Sequence, residues 1–126
     1  MEKTQRMFEQ YHRFDDGMLV SFEQQYRPGG VQAVRIVLYA RNHALDGNVW
    51  RQVAITVGDV QEVLLRTPGN FINRICCGVK LLRFGDVWCV DIDGTYARDT
   101  PATLDEVRRD GDCYVIGGTV AAIELD

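Results

Sequence analysis

Hydrophobic and polar positions alternate along most of the chain after residue 17, and this alternation predicts β-strands. In residues 31–41, apolar side chains occupy every second position from Val34 onward, as in a half-buried strand. Only residues 2–13 have helical spacing of their apolar positions. The predicted strands, separated by turns that contain glycine or proline, are 18–22, 31–41, 49–57, 60–66, 79–84, 87–93, 113–116 and 119–125.

These segments predict a mainly β fold with one N-terminal helix. Short strands at spacings of ~8–12 residues are typical of an antiparallel β-sandwich or a partly open barrel, here with seven to eight strands. Gly58-Asp59 and Gly117-Gly118 are expected to separate neighbouring strands. Because no linker interrupts the pattern, residues 1–126 are expected to form a single domain.

Composition and charge narrow the classes of partner. The net charge is −4 and the pI is about 5.1, which makes nucleic acid an unlikely partner. Residues 86–126 carry ten acidic and three basic side chains, so an acidic surface could receive a basic protein. No apolar stretch is long enough to span a membrane, and the polar N-terminus predicts no signal peptide and a cytoplasmic location.

The cysteines do not predict a metal site. Cys76, Cys77, Cys89 and Cys113 lack zinc-ligand spacing, and the chain has only two histidines. We therefore predict no metal and no cofactor, and four reduced thiols in a cytoplasm.

Residues 90–95, with the sequence VDIDGT, resemble the D-x-D-G-T signature of haloacid-dehalogenase-type phosphatases. The resemblance would make Asp91 the nucleophile and Asp93 an acid/base, both helping to hold magnesium. The context disagrees, because that family places the motif in a parallel sheet and needs a later lysine, whereas no lysine follows Asp93. Asp91, Asp93 and Asp99 are kept only as candidate binding residues.

A second candidate surface lies on the predicted strand 31–41. Arg35, Tyr39 and Arg41 share the face opposite to Val34 and Ile36, together with Val37. Arginines around an aromatic ring could bind an acidic partner or single-stranded nucleic acid. The alternative is that these arginines pair with acidic residues across the sheet.

Residues 14–65 resemble a pattern in small bacterial all-β proteins, some of which are immunity proteins of polymorphic toxin systems. The matching features are the sequence FDDG at residues 14–17, the alternating strands after it and the valine-rich stretch 53–65. This chain has Asp15 where the pattern usually has histidine. Those proteins act by binding, so the resemblance implies a function without catalytic residues.

Three functions remain open from the sequence. The first is a non-enzymatic protein-binding module of the bacterial cytoplasm, such as an immunity-type inhibitor of a toxin. The second is a small-ligand-binding or hydrolytic protein that uses a cavity between sheets with Asp91 and Asp93. The third is an oligomerisation module, such as a homodimer, with an exposed apolar patch around Val37 and Tyr39.

Overall fold

The computed structural model describes residues 1–125 and contains two helices and six strands. Helix α1 spans Glu2–Gln10, and helix α2 spans Leu104–Asp110. The mainly β prediction is confirmed. The strands in chain order are β1 (Met18–Arg27), β2 (Gly30–Arg41), β3 (Trp50–Leu65), β4 (Val79–Phe84), β5 (Val87–Ile92) and β6 (Cys113–Leu125).

All six strands belong to one antiparallel sheet with the order β1-β2-β3-β6-β5-β4. The last strand of the chain therefore lies at the centre, between β3 and β5. Strands β1 and β4 are the two edges, so the sheet does not close into a barrel. A sandwich is not confirmed either, because residues 1–125 contain no second sheet.

The predicted count of seven to eight strands is corrected to six for residues 1–125, because two predicted breaks lie within continuous strands. Strand β3 runs through Gly58, and β6 runs through Gly117. A register shift in this pair falls between Val60 and Glu62. A Cβ atom on Gly117 would lie only 2.5 Å from the carbonyl oxygen of Gly58. Here the glycine permits close approach at a β-bulge and does not end the strand.

The alternation of core-facing side chains reverses within β6. Val115 and Val120 are five residues apart, yet both lie in the main cluster. A pattern read from one end of β6 therefore fails at the other, where Ile123 is 54% exposed and Ala122 is buried. In β5, which has no register shift, Val90 and Ile92 alternate regularly into the main cluster.

Two hydrophobic clusters cover opposite faces of the sheet. The main cluster joins the predicted apolar stripe of the first helical segment, Met7, Phe8 and Tyr11, to the core-facing residues of the strands. The second cluster lies under α2, where Val107 packs with Cys89 and with residues of β4 and β6. The sandwich prediction expected a second sheet on this face, where the structure has a helix.

Helix α2 begins at a capping box formed by Thr103 and Glu106. The hydroxyl of Thr103 accepts a hydrogen bond from the amide of Glu106, and the Glu106 carboxylate accepts one from the amide of Ala102. A threonine followed three residues later by glutamate is a known signal for a helix start. Helix α2 is thus the one regular element between β5 and β6 in the described part of the chain.

Candidate functional site

The carboxyl group of Asp91 is buried beneath the loop that follows β5. Asp91 has no exposed surface. Its Oδ1 accepts a hydrogen bond from the hydroxyl of Tyr96 at 2.7 Å, and its Oδ2 accepts one from the amide of Gly94 at 3.2 Å. Burial raises the pKa of Asp91 above its usual value, although the Tyr96 hydrogen bond and the charge of Lys80 oppose this shift. A nucleophile must reach its substrate, and this carboxyl group does not reach the surface.

Asp93 holds two segments of the chain together. Its Oδ1 accepts hydrogen bonds from the amides of Cys76, at 2.8 Å, and Cys77. Its own amide donates to the carbonyl of Gly78 at 2.9 Å. These contacts brace the segment before β4 against the loop after β5, so Asp93 has a structural role here.

A basic depression of about 370 Å³ lies beside these carboxylates; we define it by Arg13, Lys80, Thr95 and Arg98. Asp99, the third predicted acidic residue, is exposed at its border. Asp91, Asp93 and Asp99 do not converge: no three His, Cys, Asp or Glu side chains within residues 1–125 are placed to hold a metal ion.

Lys80 is the buried cation of the basic depression. Its residue is only 6% exposed, and its Nζ donates to the carbonyls of Gly94 at 3.2 Å and Cys77 at 3.4 Å. Lys80 and Asp91 are cross-strand partners in β4 and β5. Even so, no carboxylate of residues 1–125 lies within 4.0 Å of the ammonium group.

A left-handed turn carries Arg13 to the rim of the depression. His12, Arg13 and Phe14 have φ angles of 49°, 55° and 59°. Each such residue costs about 1–2 kcal/mol. The ring of Phe14 is fully buried and stacks on that of Tyr11 with centroids 5.3 Å apart, which offsets part of this cost. His12 stacks on His43 with the ring centroids 3.7 Å apart.

The structure places Arg35, Tyr39 and Arg41 on one face of β2, opposite to the core. The ring of Tyr39 lies 5.4 Å from that of Trp50, and Arg41 donates to the carbonyl of Gly47 at 3.4 Å. Arg35 is the register partner of Glu23, although the two side chains form no ion pair within 4.0 Å. Binding by these residues stays a prediction, but the expected exposed apolar patch is wrong for Val37, which is only 4% exposed.

An apolar cleft of about 290 Å³ was not anticipated from the sequence; we define it by Leu19, Phe71, Ile72, Ile75 and Ile92. The segment 71–77, which contributes to its outer wall, forms neither a helix nor a strand, apart from a single bridge between Arg74 and Met18. The adjacent Phe71 and Ile72, after a Pro-Gly turn, were the signal that could have indicated an exposed apolar segment.

The side chains of Phe71 and Ile72 are 42% and 75% exposed. At the rim of the apolar cleft, Arg66 pairs with Asp112 at 3.9 Å and Arg74 pairs with Asp16 at 3.2 Å. Both ion pairs are largely exposed to solvent. The cleft is thus apolar inside and bordered by charges of both signs.

Comparisons with protein-family models, curated proteins and solved structures give no match for this chain. Separately, no helix within residues 1–125 has the length and apolar character needed to cross a membrane.

Proposed function

We propose that this chain is a non-enzymatic protein-binding module of the bacterial cytoplasm and that a partner inserts an apolar side chain into the apolar cleft. The observation that carries the proposal is the exposure of Phe71 and Ile72 beside that cleft. Single exposed apolar residues are normal on protein surfaces, but adjacent ones beside a concave site favour recognition. Hot spots of interfaces are typically large side chains that fill such pockets.

The ion pairs at the rim of the apolar cleft also favour protein binding. Exposed ion pairs such as Arg66–Asp112 and Arg74–Asp16 contribute only about 0–1 kcal/mol each. A partner can therefore replace them with its own charged groups at little cost, which would orient the partner around the apolar anchor. We infer an apolar segment flanked by charged residues as the chemistry of the partner.

Inhibition of a toxin is the specific form of this function that the resemblance of residues 14–65 suggests. Leu19 of β1, which lies in that range, lines the apolar cleft. The acidic side chains of residues 86–126, such as the exposed Asp105 and Asp112, would favour a basic toxin. This form of the proposal rests on the resemblance and on charge.

The test compares Ile72→Asp with Ile123→Asp, which changes another exposed isoleucine on a different surface. Both variants should fold like the wild type by circular dichroism, since both side chains are more than half exposed. The proposal expects wild type and Ile123→Asp to capture the same protein from native cytoplasm, and Ile72→Asp to lose it. The purified partner should then show a Kd weakened at least tenfold by Ile72→Asp alone, about 1.4 kcal/mol.

Equal capture by Ile72→Asp would refute the apolar cleft as the binding site. Loss in Ile123→Asp alone would move the interface to β6. If that variant also turned a dimer into a monomer by light scattering, the oligomerisation alternative would replace the proposal.

A further inference from the structure

We propose that the basic depression binds the phosphate group of a small phosphorylated compound or inorganic phosphate itself. The site is formed by Arg13, Lys80, Thr95 and Arg98, and it shares no lining residue with the apolar cleft. The proposal therefore does not rest on the protein-binding function.

The buried ammonium of Lys80 is the observation that carries this inference. An ammonium group has three N–H donors, and the Lys80 Nζ uses two of them on the carbonyls of Gly94 and Cys77. The side chain is buried yet borders an open depression, and no carboxylate pairs with it directly. A desolvated charge without a counterion is destabilising, and an anion in the depression would supply that counterion.

The nearest buried carboxyl group does not replace such an anion. Both oxygens of Asp91 already accept hydrogen bonds, from Tyr96 and Gly94. Asp91 therefore offers the Lys80 ammonium group no direct ion pair.

The rim adds donors suited to phosphate oxygens. The guanidinium groups of Arg13 and Arg98 form no ion pair within residues 1–125, and Thr95 contributes an exposed hydroxyl group. Arginine binds phosphate through paired N–H groups, and lysine binds it as a point charge. Asp15 and Asp99 also border the depression, so its formal charge is only slightly positive and it suits one phosphate group better than a polyphosphate chain.

The experiment is a titration of the ¹⁵N-labelled full-length protein with inorganic phosphate and with phenyl phosphate, followed by NMR. We expect saturable shifts of the Thr95 and Arg98 amides with a Kd of about 1 mM or tighter. Arg98→Gln should weaken binding about tenfold without loss of structure, because residue 98 is exposed. Arg27→Gln is the matched control, since Arg27 is an exposed arginine at the β1–β2 hairpin, and it should bind like the wild type.

Lys80→Met should abolish phosphate binding if this variant folds. If it does not fold, the comparison of Arg98→Gln with the wild type still tests the proposal. Absence of saturable shifts in the wild type would overturn the proposal. Equal weakening by Arg27→Gln would overturn it as well, because the binding would then be nonspecific attraction to surface charge. Saturable binding of acetate but not of phosphate would refute the phosphate assignment.

Discussion

Replacement of the buried Asp91 by asparagine should change how the stability of this protein depends on pH. Burial raises the pKa of Asp91 in the folded state, whereas the unfolded chain keeps a value near 3.8. Between these two values the folded protein holds a proton that the unfolded chain has released. The free energy of unfolding then falls as pH rises, by about 1.4 kcal/mol per pH unit for one such group.

The Asp91→Asn variant lacks this group, so the difference in unfolding free energy between wild type and variant isolates it. The asparagine oxygen can accept a hydrogen bond from either Tyr96 or Gly94, but its NH₂ group then lies against the other donor. This mismatch lowers the free energy of unfolding by about 1–3 kcal/mol at every pH. The wild-type advantage should therefore be largest near pH 4 and should shrink as pH rises above it.

Urea denaturation followed by tryptophan fluorescence measures this difference, because Trp88 is buried in the main cluster. Asp99→Asn is the matched control, because it makes the same chemical change at an exposed aspartate of the loop that follows β5. A wild-type advantage that grew with pH would refute the reasoning. It would mean that Asp91 is ionised in the fold and that Lys80 stabilises the charged form.

Two further predictions concern the bulge and the histidine stack. Gly117→Ala should lower the unfolding free energy by about 1–3 kcal/mol in thermal denaturation, because its Cβ would lie 2.5 Å from the Gly58 carbonyl oxygen. Gly69→Ala, which meets no atom within 4 Å, should be nearly neutral, and equal losses would contradict the bulge account. The pKa of His43 is lowered by desolvation and by the charges of His12 and Arg41. The contribution of His43 to the free energy of unfolding is therefore fully present above pH 6.5, and it is lost as pH falls through the lowered pKa. NMR titration should show this pKa rising toward 6.5 in His12→Asn, and an unchanged value would exclude the stack as a cause.

The local patterns of the chain predicted much of the sheet but not its continuity. Strands such as β2 and β5, with regular alternation from end to end, were found where expected. Glycines of β3 and β6 were predicted to separate strands. They lie instead near a β-bulge, where the two backbones approach closely. Such an approach depends on the partner strand, which lies more than 50 residues away, so neither strand's own sequence contains it.

The roles of the predicted acidic residues also depend on tertiary structure. The predicted acidic residues are near one another in sequence, but the fold separates their roles: Asp91 is buried, Asp93 braces the backbone and Asp99 is exposed. The alternation of β5 puts Asp91 on the face opposite to the core residues Val90 and Ile92, but it does not indicate that a loop covers that face.

The residues of the basic depression could not be grouped from the sequence. Arg13 comes from the left-handed turn, Lys80 from an edge strand and Arg98 from the loop after β5, so no spacing links them. The turn costs conformational energy, and the burial of Phe14 offsets part of that cost from within the core. Positive φ angles at three successive non-glycine residues are rare, and strain of this kind clusters at functional sites. The position of Arg13 in the basic depression therefore depends on the packing of Phe14 in the core. This packing is a tertiary property that local sequence patterns do not indicate.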